Sequence, residues 1–151
     1  MRDEEIQRIL RGRDVETVAR EMEHAEWVQG LASWDIFFTG TFRWTCSEAS
    51  AQRIFERWVG KVQPGVPTLY GLDPNPSGDG GHHVHGLLAS SDAYRKALWE
   101  DWFNRYGRAR LEPIANIGGV SGYVAKYPLT GARWWNVLNC TNQKPTDLVL
   151  S

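Results

Sequence analysis

His83 and His85 flank Val84 in the stretch GHHVHGLL, and Tyr123, Lys126 and Tyr127 lie together in GYVAKY further along the chain. In a β-strand, side chains at i and i+2 point to one face, so two imidazoles so spaced can grip one divalent cation. In a helix, residues three and four apart share a face, which would bring Tyr123, Lys126 and Tyr127 together. A phenol ionises only near pH 10 and needs a base or a cation beside it before it attacks. A metal clamp with a tyrosine and a lysine is the equipment for cleaving a phosphodiester with tyrosine as nucleophile. Lys126 would balance phosphate charge or assist proton transfer. Tyr127 is then a second nucleophile or a packing residue, and Pro128 places it at the end of its helix.

The strand HHVHGLL continues into Leu87 and Leu88, the pattern of a central, buried strand. Two neutral imidazoles buried there without partners would be costly, and a metal ion satisfies both. Imidazole suits manganese, zinc and related ions, while carboxylate and water ligands also admit magnesium. Manganese or magnesium is the expected ion. Asp73 is the expected third ligand, with Asp79 in the following loop as the alternative. The competing role for Asp73 is to start the turn at Pro74. His82 shares its face with Val84 and is expected to point away from the clamp.

These residues need elements to position them. Val15, Val18, Ala19 and Met22 recur at helical spacing behind Asp14, a candidate N-cap, and predict a helix over 14–28. Asp35–Trp44 (DIFFTGTFRW) predicts a first strand. Ser47 caps a helix to about Val62, which Pro64, Gly65 and Pro67 end. Thr68–Asp73 and His82–Ala89 predict two antiparallel strands joined by the turn-rich loop Pro74–Gly81. Ser91 opens a helix carrying Tyr94, Leu98, Trp102 and Phe103, which stops at Gly107. A fourth strand follows over Arg110–Ile114. Then come Gly118 and Gly119, the Tyr123 helix, and a fifth strand over Trp134–Leu138. The order predicts an α+β fold of the ferredoxin or RRM-like split βαβ kind. Its central antiparallel sheet has about five strands, with helices on one face.

The chain has 151 residues, 42% of them hydrophobic, enough for one core and hardly for two domains. The expected division is an N-terminal helical segment over 1–34, a catalytic domain over 35–140 and a C-terminal tail over 141–151. No apolar run is long enough for a membrane span, and the charged N-terminus lacks a secretory pattern. Cys46 and Cys140 form no CxxC pair and are expected as ordinary thiols of a cytoplasmic protein. Net charge is −1, against the basic balance of a duplex-coating protein. Residues 1–30 hold eight acidic and five basic side chains, whereas Arg95 to Arg133 hold seven basic and three acidic. A short single strand fits that local basic surface. Eight Trp add stacking surfaces for unpaired bases. Arg43, Trp44, Arg110, Arg133 and Trp135 are the expected DNA contacts.

DIFFTGTFRW, HHVHGLL and GYVAKY, in that order, resemble the three motifs of the HUH endonuclease superfamily, named for its His-hydrophobic-His strand. The likeness is to rolling-circle replication initiators, and YVAKY is similar to the paired-tyrosine motif of A-type initiators of small single-stranded DNA phages. The resemblance spans about residues 35–130. It implies metal-dependent nicking and rejoining of single-stranded DNA through a 5′-phosphotyrosine, with a single strand or origin hairpin as partner. Host helicase and polymerase would be further partners. No Walker-type GxxxxGK[ST] marks an appended helicase. A single-strand transposase of the same superfamily and a non-catalytic RRM-like nucleic-acid binder are the alternatives.

Overall fold

The computed structural model describes residues 15–126 and 134–140. The elements run α1 (Val15–Leu31), β1 (Ile36–Gly40), α2 (Glu48–Val62), β2 (Thr68–Pro74), β3 (His82–Leu88), α3 (Arg95–Arg105), β4 (Ala109–Pro113), α4 (Gly119–Lys126) and β5 (Trp134–Leu138). Short 3₁₀ turns at Asp92–Tyr94 and Ile114–Ile117 lead into α3 and α4. The five strands form one antiparallel sheet in the order β4-β1-β3-β2-β5, which is the split βαβ arrangement with β5 added beside β2. β3, the histidine strand, lies at its centre. No helix among the described residues is long and apolar enough to cross a membrane.

Period-2 alternation divides the sheet into two apolar faces. Ile36, Phe38, Tyr70, Leu72, Val84 and Leu88 point to one face and pack against Phe55, Trp58 and Val59 of α2 and Leu98 and Trp102 of α3. Phe37, Leu69, Leu87, Trp135 and Val137 point to the other and pack with Val28 and Leu31 of α1 and Tyr123 and Val124 of α4. The expectation of helices on one face thus holds for the two crossover helices. The second face, apolar in its own right, is covered by α1 and α4.

The first strand stops at Gly40, short of the expected Trp44. A Cβ at Gly40 would stand 2.7 Å from the rings of Phe38 and Trp102, so only glycine admits this aromatic packing. Beyond it the chain leaves the ladder, held by Thr41 N on Arg108 O (2.8 Å) and Arg43 N on Tyr106 O (2.9 Å). Ser47 caps α2 as expected, its Oγ accepting from Ser50 N at 3.2 Å. Ser91 caps the 3₁₀ turn ahead of α3, with its Oγ accepting from Ala93 N. Gly118 and Gly119, with φ of 85° and 71°, turn the chain into α4 through the left-handed region that favours glycine.

Candidate active site

Register brings the predicted residues together. Asp73 is paired directly with His83, and Gly71 with His85, across the β2–β3 ladder. His83, His85 and Asp73 fall on the sheet face that Phe37, Leu87 and α4 occupy. His82 falls on the opposite face as expected, its Nε2 3.7 Å from Glu48 in the first turn of α2.

His85 is the hub. It is 1% exposed. Its Nε2 lies 3.2 Å from Asp73 Oδ2, and its Nδ1 lies 3.3 Å from the hydroxyl of Tyr123. The Asp73 carboxylate thus stands in ion-pair range of Nε2, and Nδ1 can accept the phenol O–H. A carboxylate, an imidazole and a phenol are therefore joined in one line, the arrangement by which an oriented histidine draws the proton from a nucleophile. Trp135 closes this line on the β5 side. Its ring stands nearly perpendicular to His85 (5.3 Å between centroids) and to Tyr123 (5.8 Å). Phe37 meets Tyr123 edge-on at 5.6 Å.

His83, half-buried two residues earlier, is held differently. Its Nδ1 is 3.2 Å from Asn75 Oδ1, while Asn75 Nδ2 donates to Asp79 Oδ1 at 3.3 Å. With its amide nitrogen committed to Asp79, Asn75 presents oxygen to His83. The proton then resides on Nδ1, which makes Nε2 the acceptor nitrogen of the ring. The Gly81 amide and Asn75 hold the Asp79 carboxyl below the usual carboxylate range. Asp79, the alternative ligand, is thus engaged in shaping the loop. Asn75, which no spacing rule singled out, joins that loop to the histidine strand.

Two imidazoles and a carboxylate are suitable donors for a divalent cation. The 3.2 Å between His85 Nε2 and Asp73 Oδ2 matches two adjacent ligands that each sit about 2.1 Å from a shared ion. Among the described residues, no group of three His, Cys, Asp or Glu side chains converges on one point. His83, although paired with Asp73 in the ladder, has its Nδ1 engaged by Asn75.

The remaining predicted residues divide. α4 ends at Lys126, whose side chain lies outside the described part of the structure. Tyr127 and Arg133 lie outside the described residues. Trp135, expected as a base-stacking contact, is instead 9% exposed and packed on His85 and Tyr123, so it offers no open ring face. Arg110 pairs in register with Thr39, which pairs in turn with His85. One row on one face therefore runs from exposed Arg110 through Thr39 and His85 to Trp135. Arg110 is ion-paired with Glu112 at 2.5 Å. Arg43 and exposed Trp44 lie beyond the end of β1, at the sheet end where Asp73 and His83 emerge.

No protein-family model matches the chain, and neither does any curated protein or solved structure.

Proposed function

We propose that this protein nicks and rejoins single-stranded DNA by transesterification at Tyr123, the activity that initiates rolling-circle replication. The observation that carries the reading is the line Asp73–His85–Tyr123, which rises from a His-Val-His strand and ends on the tyrosine of a Y-x-x-K helix. A buried phenol whose hydroxyl rests on an oriented imidazole is equipped to lose its proton.

In this reaction Tyr123 Oη forms a bond to phosphorus as the P–O3′ bond breaks. A 5′-phosphotyrosine results, and the 3′-oxygen leaves as a hydroxyl. His85 Nδ1 receives the phenol proton, and Asp73 stabilises the imidazolium formed. The proton passes on to the leaving oxygen, so neither water nor ATP is consumed and the step reverses to rejoin the strand. With His85 acting as the base, His83 and the Asp73 carboxylate would be the donors to manganese or magnesium; His85, the other imidazole of the pair, could ligate an ion only while deprotonated at Nε2. When bound, such an ion would supply Lewis-acid polarisation of the scissile phosphate. Lys126 would add positive charge at the phosphate. Tyr123 has no exposed surface, so the phosphate reaches it only when the packing over its hydroxyl opens.

The test is a covalent adduct. Incubation of the protein and manganese with a library of single-stranded and hairpin oligonucleotides should give a mass-shifted band on a denaturing gel. Tyr123→Phe should abolish it, while loss in Tyr127→Phe would show that both tyrosines act. Adduct at full yield in Tyr123→Phe would refute the nucleophile assignment. Strand binding that persists in EDTA, with no cleavage of any substrate, would favour a non-catalytic binder. Cleavage confined to transposon-end hairpins would favour a transposase.

A further inference from the structure

α3 is apolar on two sides. Leu98 and Trp102 are buried in the core, as the helical spacing requires, yet Trp99 and Phe103 remain 41% and 42% exposed on the outer side. Exposed large aromatic groups set side by side call for a partner. Their rings are stacked, with 5.1 Å between centroids and 11° between planes. Arg43 continues the column: its guanidinium lies over the Phe103 ring at 5.3 Å and donates to the Phe103 carbonyl. At the other end Trp99 borders a hollow of about 280 Å³, bounded also by Asp92, Arg95, Lys96 and Leu111.

Trp99 is held in place by its indole N–H, which donates to Ala109 O at 2.9 Å. That bond covers part of the edge strand β4, but it leaves the exposure of Phe103 and the hollow without a role. Ala109 immediately precedes Arg110, the first member of the row that leads across the sheet to His85. Charge also favours an anion here. In a chain of net charge −1, Arg43 and Lys96 have no carboxylate in ion-pair contact among the described residues, whereas Arg95 is paired with Asp92.

We propose that this column and its hollow bind the unpaired strand flanking the cleavage point, an inference that rests on the nicking activity proposed above. One base enters the hollow and extends the Arg43–Phe103–Trp99 stack, with backbone phosphates on Lys96 and Arg43. Asp92 and Arg95 supply hydrogen-bonding groups at the base edge. Bases expose their π-faces only when unpaired, so the site selects single strands over duplex. The strand then passes around β4 and Arg110 to the row containing His85.

The test is equilibrium binding of a fluorescent twenty-residue oligothymidylate to the full chain in EDTA, with a duplex of equal length as control. The single strand should bind more tightly than the duplex. Trp99→Ala should weaken single-strand binding at least about fivefold, the smallest effect expected for a lost stacking contact. Lys96→Glu, which leaves every ring in place, should lower the slope of log affinity against log salt by about one. Circular dichroism and thermal melting establish that each variant is folded. Should Trp99→Ala unfold, the salt slope of Lys96→Glu decides. Wild-type affinity and slope in the folded variants would overturn the proposal, as would equal binding of duplex. So would variants that lose only a protein partner while binding oligothymidylate normally. Adduct formation at Tyr123 with unaltered strand affinity in the variants would remove this site and leave the nicking activity standing. Weakened affinity with no adduct on any substrate would do the reverse.

Discussion

The two faces of the sheet each bury a tyrosine, and both hydroxyls are paired. Tyr70, on the α2–α3 face, donates to Glu56 Oε2 at 2.6 Å. Tyr123, on the α1–α4 face, meets His85 Nδ1 at 3.3 Å. Burial first, and the Glu56 carboxylate after it, push the Tyr70 phenol far above its ordinary range, so it keeps its proton. A carboxylate partner locks a phenol in its neutral form, while an imidazole offers somewhere for the proton to go. Burial is common to the two residues. The acceptor, set by which strand carries the histidine, is what separates a structural tyrosine from a candidate nucleophile.

The largest test of this contrast is exchange of the two hydroxyls for hydrogen. Tyr123→Phe should reduce covalent adduct to background, whereas Tyr70→Phe should retain it at near wild-type yield in the same denaturing-gel assay. Equal loss in both variants would mean that the effect passes through the fold and would break the contrast.

That contrast was only half legible in the sequence. The His-Val-His strand, its hairpin partner and the placement of Asp73 beside it follow from period-2 alternation and a loop of glycines and prolines, all local signals. β5 also runs over its predicted residues. The covering of the second face by α1 and α4 depends on contacts between segments distant in the chain, and no local pattern encodes it. Trp135 shows the consequence. The sequence offers Trp135 as a DNA contact, but its ring lies against His85 and Tyr123. On α3, apolar spacing pointed correctly to Leu98 and Trp102, yet Tyr94 and Phe103 from the same pattern are exposed. Asn75 was missed because an asparagine in a turn-rich loop already has a sufficient role in the turn itself.

Tryptophans sharpen the comparison next. Trp102 is fully buried among Phe38, Trp58 and Tyr106, and its N–H donates to Thr41 O at 3.1 Å. Trp102→Ala should cost about 3–5 kcal/mol in urea unfolding. Trp135→Phe should cost about 1–2 kcal/mol, because its buried N–H has no partner among the described residues and no hydrogen bond is lost. Its effect should appear in the rate of adduct formation, through the packing of His85 and Tyr123. If Trp135→Phe unfolds the protein and leaves the rate unchanged in whatever remains folded, the α1–α4 face is as purely structural as the other.

A smaller effect is expected at Gly40, where the added methyl of Gly40→Ala would press on Phe38 and Trp102. Overpacking of this kind costs about 1–3 kcal/mol, measurable as a lower urea midpoint. Because the strain falls on the α2–α3 face, single-strand nicking by the folded fraction should be unchanged. A parallel loss of nicking rate would show that the two faces are mechanically coupled through β1.

The smallest effect isolates the Tyr70 hydroxyl itself. Near neutral pH, Tyr70→Phe should cost about 1 kcal/mol, since Glu56 loses its donor. The folded pKa of Tyr70 is raised above the unfolded value near 10. Below that value both states hold the proton and the contribution is fully present. As pH rises past it, the unfolded chain releases a proton that the folded chain keeps, so wild-type stability falls by about 1.4 kcal/mol per pH unit from this group. The thiols of Cys46 and Cys140, pushed up mainly by burial, add a loss of the same sign that both proteins share. The stability gap between wild type and Tyr70→Phe, read from urea midpoints at pH 8 and pH 11, should therefore close by about pH 11. A gap independent of pH would mean that Tyr70 ionises as readily folded as unfolded, and the locked phenol would no longer stand as the counterpart of Tyr123.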